Sequence, residues 1–286
     1  DRGGREMMVA LDGRMVRAKR SLSQNFLVDP NLRGKLVEAL GAGPDDTVLE
    51  VGPGHGELSE RLVGEVARLL LVEKDDRLAE LLNERWGARD DVCIVHADAL
   101  DVDLSQLVEG CPAHRVISNV PYSITSPLLF RFLDIRPLPS RLVVLVQEEV
   151  GRRIVADPGT REYGALSVGV RARAEARLAF RVGRRAFRPV PSVDSVAVVI
   201  EPNPDCPAQS ELGALRDLTR VAFSRRRKQI RRILRDAPEY GLSVAAADAV
   251  LAEVGIDPTA RPETFSPGLF LRLAAQLGSG GGEPES

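Results

Sequence analysis

Hydrophobic residues in the central part of the chain follow two alternating patterns, short apolar runs and longer stretches with helical spacing. The apolar runs predict buried strands at 47–51, 69–73, 92–96, 115–118 and 142–147. Helical stretches are expected near 30–40, 57–64, 75–86, 125–133 and 148–156. Strands that alternate with helices in this way predict an α/β fold built on a mostly parallel sheet.

The pattern changes in the second half of the chain. Two further strands, predicted at 176–182 and 195–200, have no long helix between them, so an antiparallel addition to the sheet edge is expected. The segment EPNPDCPAQ (201–209) interrupts the periodicity and predicts a domain boundary. Helical spacing then resumes, with helices near 226–235, 243–254 and 267–276. The expected division is a flexible basic arm at 1–20, an α/β domain at 21–203, an all-helical domain at 204–277 and a disordered tail at 278–286.

The distribution of charge, rather than its sum, indicates a nucleic-acid partner. A net charge of −2 would by itself argue against binding a polyanion. Between positions 220 and 235, however, eight Lys and Arg residues occur without any Asp or Glu, and the local field depends on where charges lie. A charge run is usually only a solvated face, but the lack of acidic neighbours favours contact with RNA phosphates from a basic helix. We expect that contact from Arg225, Arg226, Arg227, Lys228, Arg231 and Arg232.

Composition narrows the class of protein further. The hydrophobic fraction of 44% and the charged fraction of 28% are those of an ordinary globular protein. The three cysteines, Cys93, Cys111 and Cys206, have no metal-site spacing and are typical of a reducing cytoplasm. No apolar run is long enough to span a bilayer, and no secretory segment is found near the start. We therefore expect a cytoplasmic protein with no metal and no membrane partner.

A glycine-rich turn follows the first predicted strand of the sheet, in the sequence TVLEVGPGHGEL (47–58). Gly52 and Gly54 allow the backbone to approach a ligand closely, next to the N–H groups at the start of a helix. A dinucleotide fingerprint requires a small third residue at position 57, where this chain has Glu57. The G-x-G-x-G form after an acidic strand residue, Glu50, is instead typical of S-adenosylmethionine sites.

Two carboxylates follow at the ends of the next strands. Glu73 ends the second predicted strand, where it can accept hydrogen bonds from both ribose hydroxyls of such a cofactor. Asp98 comes just after the third strand and is placed to accept from the adenine amino group, although a helix N-cap is its structural alternative. Open α/β sheets bind ligands at the carboxyl ends of their strands. Both side chains are therefore expected in one site.

The segment SNVPY (118–122) after the fourth predicted strand indicates the chemistry. The exocyclic amine of adenine is a poor nucleophile because its lone pair is delocalised into the ring. It needs acceptors that hold its N–H groups more than it needs a strong base. The side-chain carbonyl of Asn119 and the backbone carbonyl of Pro121 can supply them, and the Tyr122 ring can stack on a displaced base. The expected reaction is direct displacement of a methyl group from a sulfonium, governed by orientation and electrostatics.

Ten motifs between about Ser21 and Leu273 carry a family resemblance. They are SQNFLVD (23–29), LEVGPGHGELS (49–59), VEKD (72–75), HADAL (96–100), SNVPYSIT (118–125), VQEEVGRRIVADPG (146–159), YGALSV (163–168), FRPVPSVDS (187–195), AFSRRRKQIRR (222–232) and RPETFSP (261–267). In this order they resemble the KsgA (RsmA) family of small-subunit ribosomal RNA adenine dimethyltransferases.

The resemblance implies a Rossmann-like class I methyltransferase sheet with a small all-helical C-terminal domain. It also implies a monomeric, S-adenosylmethionine-dependent enzyme. Its substrate would be the N6 amines of two adjacent adenines in a small-subunit (16S) rRNA hairpin, within an assembling 30S subunit.

The same resemblance implies roles for single residues. Phe187 matches the aromatic that packs the target base opposite Tyr122, and a core phenylalanine is its structural alternative. Departures from the family pattern, such as Ser23, Ser123 and Ser192, remove no group assigned to chemistry. By motif match, the cofactor is enclosed by Gln24, Asn25 and Leu27 and also contacted by Gly52, Glu73, Asp98 and Asn119.

Three other functions remain open from the sequence. One is a related antibiotic-resistance methyltransferase that modifies an adenine in large-subunit rRNA, which the motifs at 222–232 and 261–267 disfavour. Another is a non-catalytic ribosome assembly factor that retains the fold, which the intact segment at 119–122 disfavours. A nucleotide-dependent oxidoreductase is disfavoured by Glu57.

Overall fold

The protein folds into two compact units. The computed structural model describes residues 25–111, 114–119 and 121–279, together with the backbone alone of 6–11 and 14–19. The first unit comprises Asp1–Gly151 and Ala176–Pro202, and the second comprises Arg152–Glu175 and Asn203–Ser286.

The described strands and helices follow the alternation expected from the sequence. The strands are β1 (Glu6–Leu11), β2 (Arg14–Lys19), β3 (Phe26–Leu27), β4 (Thr47–Val51), β5 (Arg68–Glu73), β6 (Val92–His96), β7 (His114–Asn119), β8 (Arg141–Gln147), β9 (Ala174–Val182), β10 (Phe187–Arg188) and β11 (Ser195–Pro202). The helices are α1 (Pro30–Leu40), α2 (Asp76–Trp86), α3 (Leu104–Leu107), α4 (Thr125–Leu133), α5 (Glu148–Val155), α6 (Ala165–Arg171), α7 (Gln209–Ser224), α8 (Ile230–Asp236), α9 (Val244–Glu253) and α10 (Pro267–Ser279).

A seven-stranded sheet with the order β6-β5-β4-β7-β8-β11-β9 forms the centre of the first unit. Strands β6, β5, β4, β7 and β8 are parallel, and β11 pairs antiparallel with β8. The predicted α/β fold and its antiparallel addition are thus confirmed. The central strands are apolar on both faces because helices cover the sheet, with α1 against β7, β8 and β11 and α2 against β5 and β6.

The register of the parallel strands brings the turns that follow them to one edge of the sheet. Val51 of β4 lies opposite Val72 of β5 on one side and Ser118 of β7 on the other. The Ser118 hydroxyl also donates to the Val51 carbonyl at 2.7 Å, which links these two strand ends. The segments after β4, β5 and β7 therefore begin next to one another.

The second unit is built from helices α6 to α10 around its own apolar core. Leu215, Leu218, Phe270 and Leu273 are each at most 1% exposed. Buried Tyr163 donates its hydroxyl to the Phe265 carbonyl at 2.7 Å, and burial raises the pKa of Tyr163 to about 12, which keeps the hydroxyl protonated. Among the described helices, none combines the length and apolar character needed to cross a bilayer.

Within the arm predicted to be flexible, β1 pairs with β2 as an antiparallel hairpin, since backbone pairing does not require an amphipathic pattern. Two local predictions are wrong. The segment 57–64 holds only a short 3₁₀ turn at Ser59–Arg61, because the left-handed backbones of Gly56 (φ 87°) and Gly64 (φ 79°) break a regular helix at both ends. Finally, Arg152–Glu175, including the unpredicted helix α6, belongs to the second unit rather than the first.

The other predicted domain limits lie closer to the observed ones. The predicted boundary at 203/204 lies one residue from the observed change of unit after Pro202. From position 280 on, the predicted disordered tail lies outside the described residues.

A buried histidine makes the stability of the first unit depend on pH. His114 is fully buried at the start of β7, and neither ring nitrogen has a hydrogen-bond partner among the described residues. Burial lowers the pKa of His114, and the backbone of Cys111 opposes that shift only in part. The unfolded chain, with a histidine pKa near 6.5, therefore binds this proton more readily than the folded one.

We expect replacement of His114 by glutamine to reduce the loss of stability in acid. Because the folded-state pKa is depressed, the stabilisation is present above pH ~6.5 and is lost as the pH falls toward the folded value, by up to about 1.4 kcal/mol per pH unit. Urea unfolding of His114→Gln and the wild type at about pH 7.5 and pH 5 measures the difference. The exposed His96→Gln serves as the matched control. An unchanged pH dependence in His114→Gln would contradict the assignment.

Candidate active site

One pocket of the first unit lies at the sheet edge where the turns after β4, β5, β6 and β7 begin. It combines an apolar floor with four carboxylates, one lysine and two asparagines. It is lined by Asn25, Phe26, Leu27, Glu50, Val51, Gly52, Pro53, Gly54, Glu57, Leu58, Val72, Glu73, Lys74, Leu78, Ala97, Asp98, Ala99, Leu100, Asn119, Pro121, Tyr122, Ser123, Ile124 and Leu128. Most side chains predicted for cofactor and substrate are therefore gathered in one place.

The glycine-rich turn after β4 adopts a backbone that other residues would not tolerate. Gly54 (φ 63°) and Gly56 (φ 87°) are both left-handed. A Cβ atom on Gly56 would lie 2.4 Å from the Trp86 ring, and one on Gly54 would meet the Phe26 ring at 3.2 Å. Glycine is thus required here for space as well as for conformation, and it leaves the backbone of the turn open to the pocket.

Glu73 at the end of β5 is held in place by two backbone N–H groups. Its Oε2 accepts from Gly54 N at 3.1 Å, and its Oε1 accepts from Asp75 N at 2.9 Å. Burial raises the pKa of Glu73, while the backbone hydrogen bonds oppose that shift. Each carboxylate oxygen can accept a second hydrogen bond, so Glu73 presents two oriented acceptors.

Asp98, after β6, forms an ion pair with Lys74 and accepts from Leu100 N at 2.9 Å. The hydrogen bond from Lys74 lowers the pKa of Asp98, which keeps its carboxylate ionised. Asp98 therefore lines the pocket, whereas it is not the helix N-cap given as its structural alternative, because a turn follows it and the N-cap of α3 is Asp103. Lys74 was not among the predicted site residues, because the only sign of such a role in the sequence is its position next to Glu73.

Glu50, in the middle of the sheet, is the most buried carboxylate of the pocket at 1% exposure. Its Oε2 accepts from the Ser59 hydroxyl at 2.6 Å. Desolvation raises the pKa of Glu50 to about 8, opposed by the Ser59 hydrogen bond and reinforced by Glu57 and Glu73. Near neutral pH the protonated, neutral form of this side chain consequently predominates.

The amide of Asn119 is oriented by a backbone carbonyl. Its Nδ2 donates to the Asn25 carbonyl at 2.9 Å, so the donor end of the amide is engaged and Oδ1 remains as an acceptor. Asn25 itself lines the pocket, as does Leu27, which is also part of the hydrophobic core. Gln24 lies outside the described residues.

Pro121 and Tyr122 enter a 3₁₀ turn that leads into α4. The Pro121 carbonyl accepts from Ile124 N at 3.1 Å, and the Thr125 hydroxyl can donate either to it at 3.4 Å or to the Tyr122 carbonyl at 3.3 Å. The Tyr122 hydroxyl is 2.7 Å from the Ser195 hydroxyl, and burial raises the pKa of Tyr122. Ser195 is fully buried at the start of β11 and was not predicted, although it ends the FRPVPSVDS motif.

Phe187 does not take the position predicted for it. Its side chain is fully buried in the hydrophobic core, and β10 pairs with β3 so that Phe187 lies opposite Leu27. A ring without exposed surface cannot stack on a base, so the predicted contact is wrong for this structure and the core alternative holds. Phe26, which was not predicted, instead lines the pocket and meets the His55 ring edge-on at 4.3 Å.

The basic segment of the second unit also differs from its predicted form. Helix α7 ends at Ser224 with Arg225 as its C-cap, and α8 begins only at Ile230. Residues 225–228 therefore form a turn, after which Gln229 adopts an extended backbone before α8. Together with α8 this turn lines a basic groove of Arg227, Lys228, Gln229, Arg231, Arg232, Arg235 and Arg261.

Acidic partners, expected to be absent from this segment, are present. Arg226 pairs with Glu263 at 2.5 Å and donates to two backbone carbonyls, so it is bound into the unit itself. Arg231 lies 3.3 Å from Asp248. These acids come from distant parts of the chain, which no local charge count reveals. Arg227, Lys228 and Arg232 form no ion pair within the part of the chain that the structure describes.

Within the described residues, no group of three or more His, Cys, Asp and Glu side chains is arranged to hold a metal ion. The charged groups of the pocket are hydrogen-bond acceptors, apart from Lys74. Such a site favours a ligand with hydroxyl, amino and cationic groups.

Comparisons with known proteins agree with this geometry. Residues 15–277 match the family model described as ribosomal RNA adenine dimethylase. The chain is 40% identical over 274 residues to ribosomal RNA small subunit methyltransferase A of Geobacter metallireducens, covering 95% of this chain and 99% of that protein.

Solved structures show the same fold. A dimethyladenosine transferase from Plasmodium falciparum aligns with a TM-score of 0.76 at 23% identity, covering 88% of this chain and 97% of that one. The 23S rRNA methyltransferase ErmE aligns with a TM-score of 0.65 at 25% identity, covering 88% and 99%. The family match spans both units and the whole pocket, and the chain is therefore an enzyme of the ribosomal RNA adenine dimethylase family.

Proposed function

We propose that this enzyme uses S-adenosylmethionine to dimethylate the N6 amines of two adjacent adenines in a small-subunit (16S) rRNA hairpin during assembly of the 30S subunit. The observation that carries the proposal is the shared pocket. The Asn119–Tyr122 turn opens onto the same space as the glycine-rich turn, Glu73 and Asp98. A methyl donor and an acceptor amine can thus be held side by side.

The residues present fit the proposed cofactor. The two acceptors of Glu73 suit a pair of ribose hydroxyls, and the ionised Asp98 suits the adenine amino group. Gly52 and Gly54 expose backbone to the methionine portion, which Asn25 and Leu27 also border. Gln24 is proposed to complete this enclosure from the preceding segment. When bound, S-adenosylmethionine supplies a methyl group already activated by its positive sulfur.

For the target adenine, the chain supplies groups that orient the amine rather than a strong proton acceptor. Asn119 Oδ1 can accept one N–H of the adenine amine, since its Nδ2 is held by Asn25. The Pro121 carbonyl can accept the other N–H when the Thr125 hydroxyl donates to the Tyr122 carbonyl instead. Tyr122 can offer its ring to the base, a contact worth about 1–3 kcal/mol per base. These contacts favour the pyramidal nitrogen that attack requires.

The preference for the small subunit rests on similarity. The relative at 40% identity is named a small-subunit methyltransferase, whereas ErmE, named a 23S rRNA methyltransferase, is 25% identical. The basic groove supports an RNA substrate because its unpaired arginines and lysine can contact phosphates. A monomeric, metal-free enzyme that acts within an assembling subunit remains part of this proposal.

The direct test is methylation of undermethylated small and large ribosomal subunits with labelled S-adenosylmethionine, followed by mapping of the modified bases. We expect two adjacent dimethylated adenines in the small-subunit rRNA. Modification of the large subunit alone would favour the resistance-enzyme alternative. Binding without any methyl transfer would favour the non-catalytic assembly factor.

We expect Asn119→Ala to abolish turnover while cofactor binding is weakened but still detectable. The substitution removes an acceptor needed for the amine and also the hydrogen bond from Nδ2 to the Asn25 carbonyl. Isothermal titration and single-turnover methylation separate the two effects. Asn83→Ala, an exposed asparagine on α2, is the matched control. Turnover within a few-fold of wild type in Asn119→Ala would contradict the proposed role.

We also expect charge removal at Arg227 or Arg232 to weaken rRNA binding and to flatten its salt dependence. Each lost phosphate contact should lower the slope of log K against log salt by about 0.9 for a duplex. Arg231→Gln should have the same direction but a smaller effect, because Arg231 is shared with Asp248. Arg226→Gln is the contrasting variant and should lower the thermal stability of the second unit. An unchanged salt slope in Arg227→Gln and Arg232→Gln would exclude the groove as the RNA contact.

A further inference from the structure

Three glutamates line one face of the pocket without a matching cation. Glu50, Glu57 and Glu73 all border it. The only lysine there, Lys74, is paired with Asp98. His55 lies 3.5 Å from Glu57 through Nδ1, yet neither ring nitrogen makes a hydrogen bond to a described residue. The pocket as a whole therefore favours a positively charged ligand over a neutral one of the same shape.

Glu50 is the member of this set whose charge is least supported. Glu73 receives two backbone N–H groups. Glu57 Oε2 accepts from His55 N at 3.2 Å, whereas Glu57 Oε1 is buried without a hydrogen-bond partner among the described residues. Glu50 has only the neutral Ser59 hydroxyl on Oε2, and its Oε1 has no hydrogen-bond partner among the described residues although the side chain is 99% buried.

The surroundings of Glu50 explain why its charge depends on the ligand. From the turn after β4 it faces Glu57 and Ser59, and from β5 it faces Glu73. On the other side, the residue opposite it in β7 is the apolar Ile117. With no counter-charge, ionisation of Glu50 is opposed by desolvation and by two like charges. A cation in the pocket reverses that balance because opposite charges favour ionisation.

Building on the proposed use of S-adenosylmethionine, we propose that Glu50 discriminates the methyl donor from the spent product by charge. Glu50 would be ionised while the pocket holds the sulfonium and would take up a proton when the pocket holds the uncharged thioether. The ligand pair differs by one methyl group and one positive charge, so contacts to the ribose and adenine cannot separate them. Glu50 supplies that separation, and loss of the attraction after transfer favours release of the product.

Proton exchange on binding gives a readout independent of activity. In the free protein the pKa of Glu50 is about 8, so at about pH 7.5 most of the population is protonated. Binding S-adenosylmethionine should then release a proton from Glu50, and binding S-adenosylhomocysteine should not. Above about pH 9 the release should vanish because Glu50 is already ionised. Isothermal titration in buffers of different ionisation enthalpy counts the protons.

Sinefungin provides a third ligand for this comparison. It carries an amine in place of the sulfonium and should release a proton as S-adenosylmethionine does. The ligands' own α-amino groups titrate near pH 8. The decisive quantity is therefore the difference between the wild type and Glu50→Gln for each ligand. We expect Glu50→Gln to lose the extra proton release and about tenfold of the preference for S-adenosylmethionine over S-adenosylhomocysteine, the equivalent of one pKa unit.

Two further variants keep the test decisive. Glu57→Gln removes one of the two like charges near Glu50, so it should keep the release from Glu50 but move it to lower pH. Ser59→Ala removes the hydrogen bond that favours ionised Glu50, so it should move the release to higher pH. Equal release by all three ligands, or full release in Glu50→Gln, would overturn the proposal, as would loss of the release at every pH in Glu57→Gln. Failure of the wild type to bind any of the ligands would instead refute the proposed function.

Glu50→Gln is also expected to fold. It keeps the volume and an acceptor for Ser59 while removing a buried charge. Because burial raises the folded-state pKa of Glu50 above its unfolded value of 4.5, the wild type loses stability as the pH rises from about 4.5 through 8. The variant lacks this loss and should melt at a higher temperature than wild type at about pH 8.5. If Glu50→Gln does not fold, the shift of the release window in Ser59→Ala decides the proposal.

Discussion

The alignment of parallel strand ends is the constraint on which the site depends. Hydrogen bonds between β4, β5 and β7 set a register in which Val51, Val72 and Ser118 lie side by side. Three segments far apart in sequence therefore leave the sheet at one edge, and each contributes a different group. The glycine-rich turn contributes backbone, β5 contributes Glu73, and the segment after β7 contributes Asn119 and Tyr122. A shift of one residue in the register would turn these side chains to the opposite face.

Carboxylates at that edge of the sheet have an electrostatic cost, and groups of the pocket offset it only in part. Glu73 is supported by backbone N–H groups and Asp98 by Lys74. Glu50 has no such support, and it sits where solvent cannot screen it. A buried charge without a partner is unfavourable. Carboxyl groups in such surroundings are typical of functional sites, where a ligand can supply the missing interaction. The same feature that weakens the free protein can thus make the site selective for a cation.

The second unit illustrates how position decides what a charged residue does. Adjacent arginines of the basic run make different contacts. Arg226 is bound to Glu263 and two backbone carbonyls, whereas Arg227 lines the basic groove. Only the second kind is available for phosphates. Arg261 completes the groove, although it is distant in sequence from the basic run and does not belong to a basic run of its own.

The amino-acid sequence by itself determined the fold class, the strands of the sheet and most of the pocket. Those features depend on local hydrophobic spacing and on short motifs at strand ends, and Gly52, Glu73, Asp98 and Asn119 could be identified from them. The tertiary structure decided what depends on contacts between distant segments. Phe187 turned into the core because β10 pairs with β3 there. The basic run gained acidic partners from other helices, Ser195 reached Tyr122, and residues 152–175 joined the helical unit. Periodicity records which residues are buried, but it does not record which residues meet, because that choice is made only when the whole chain packs.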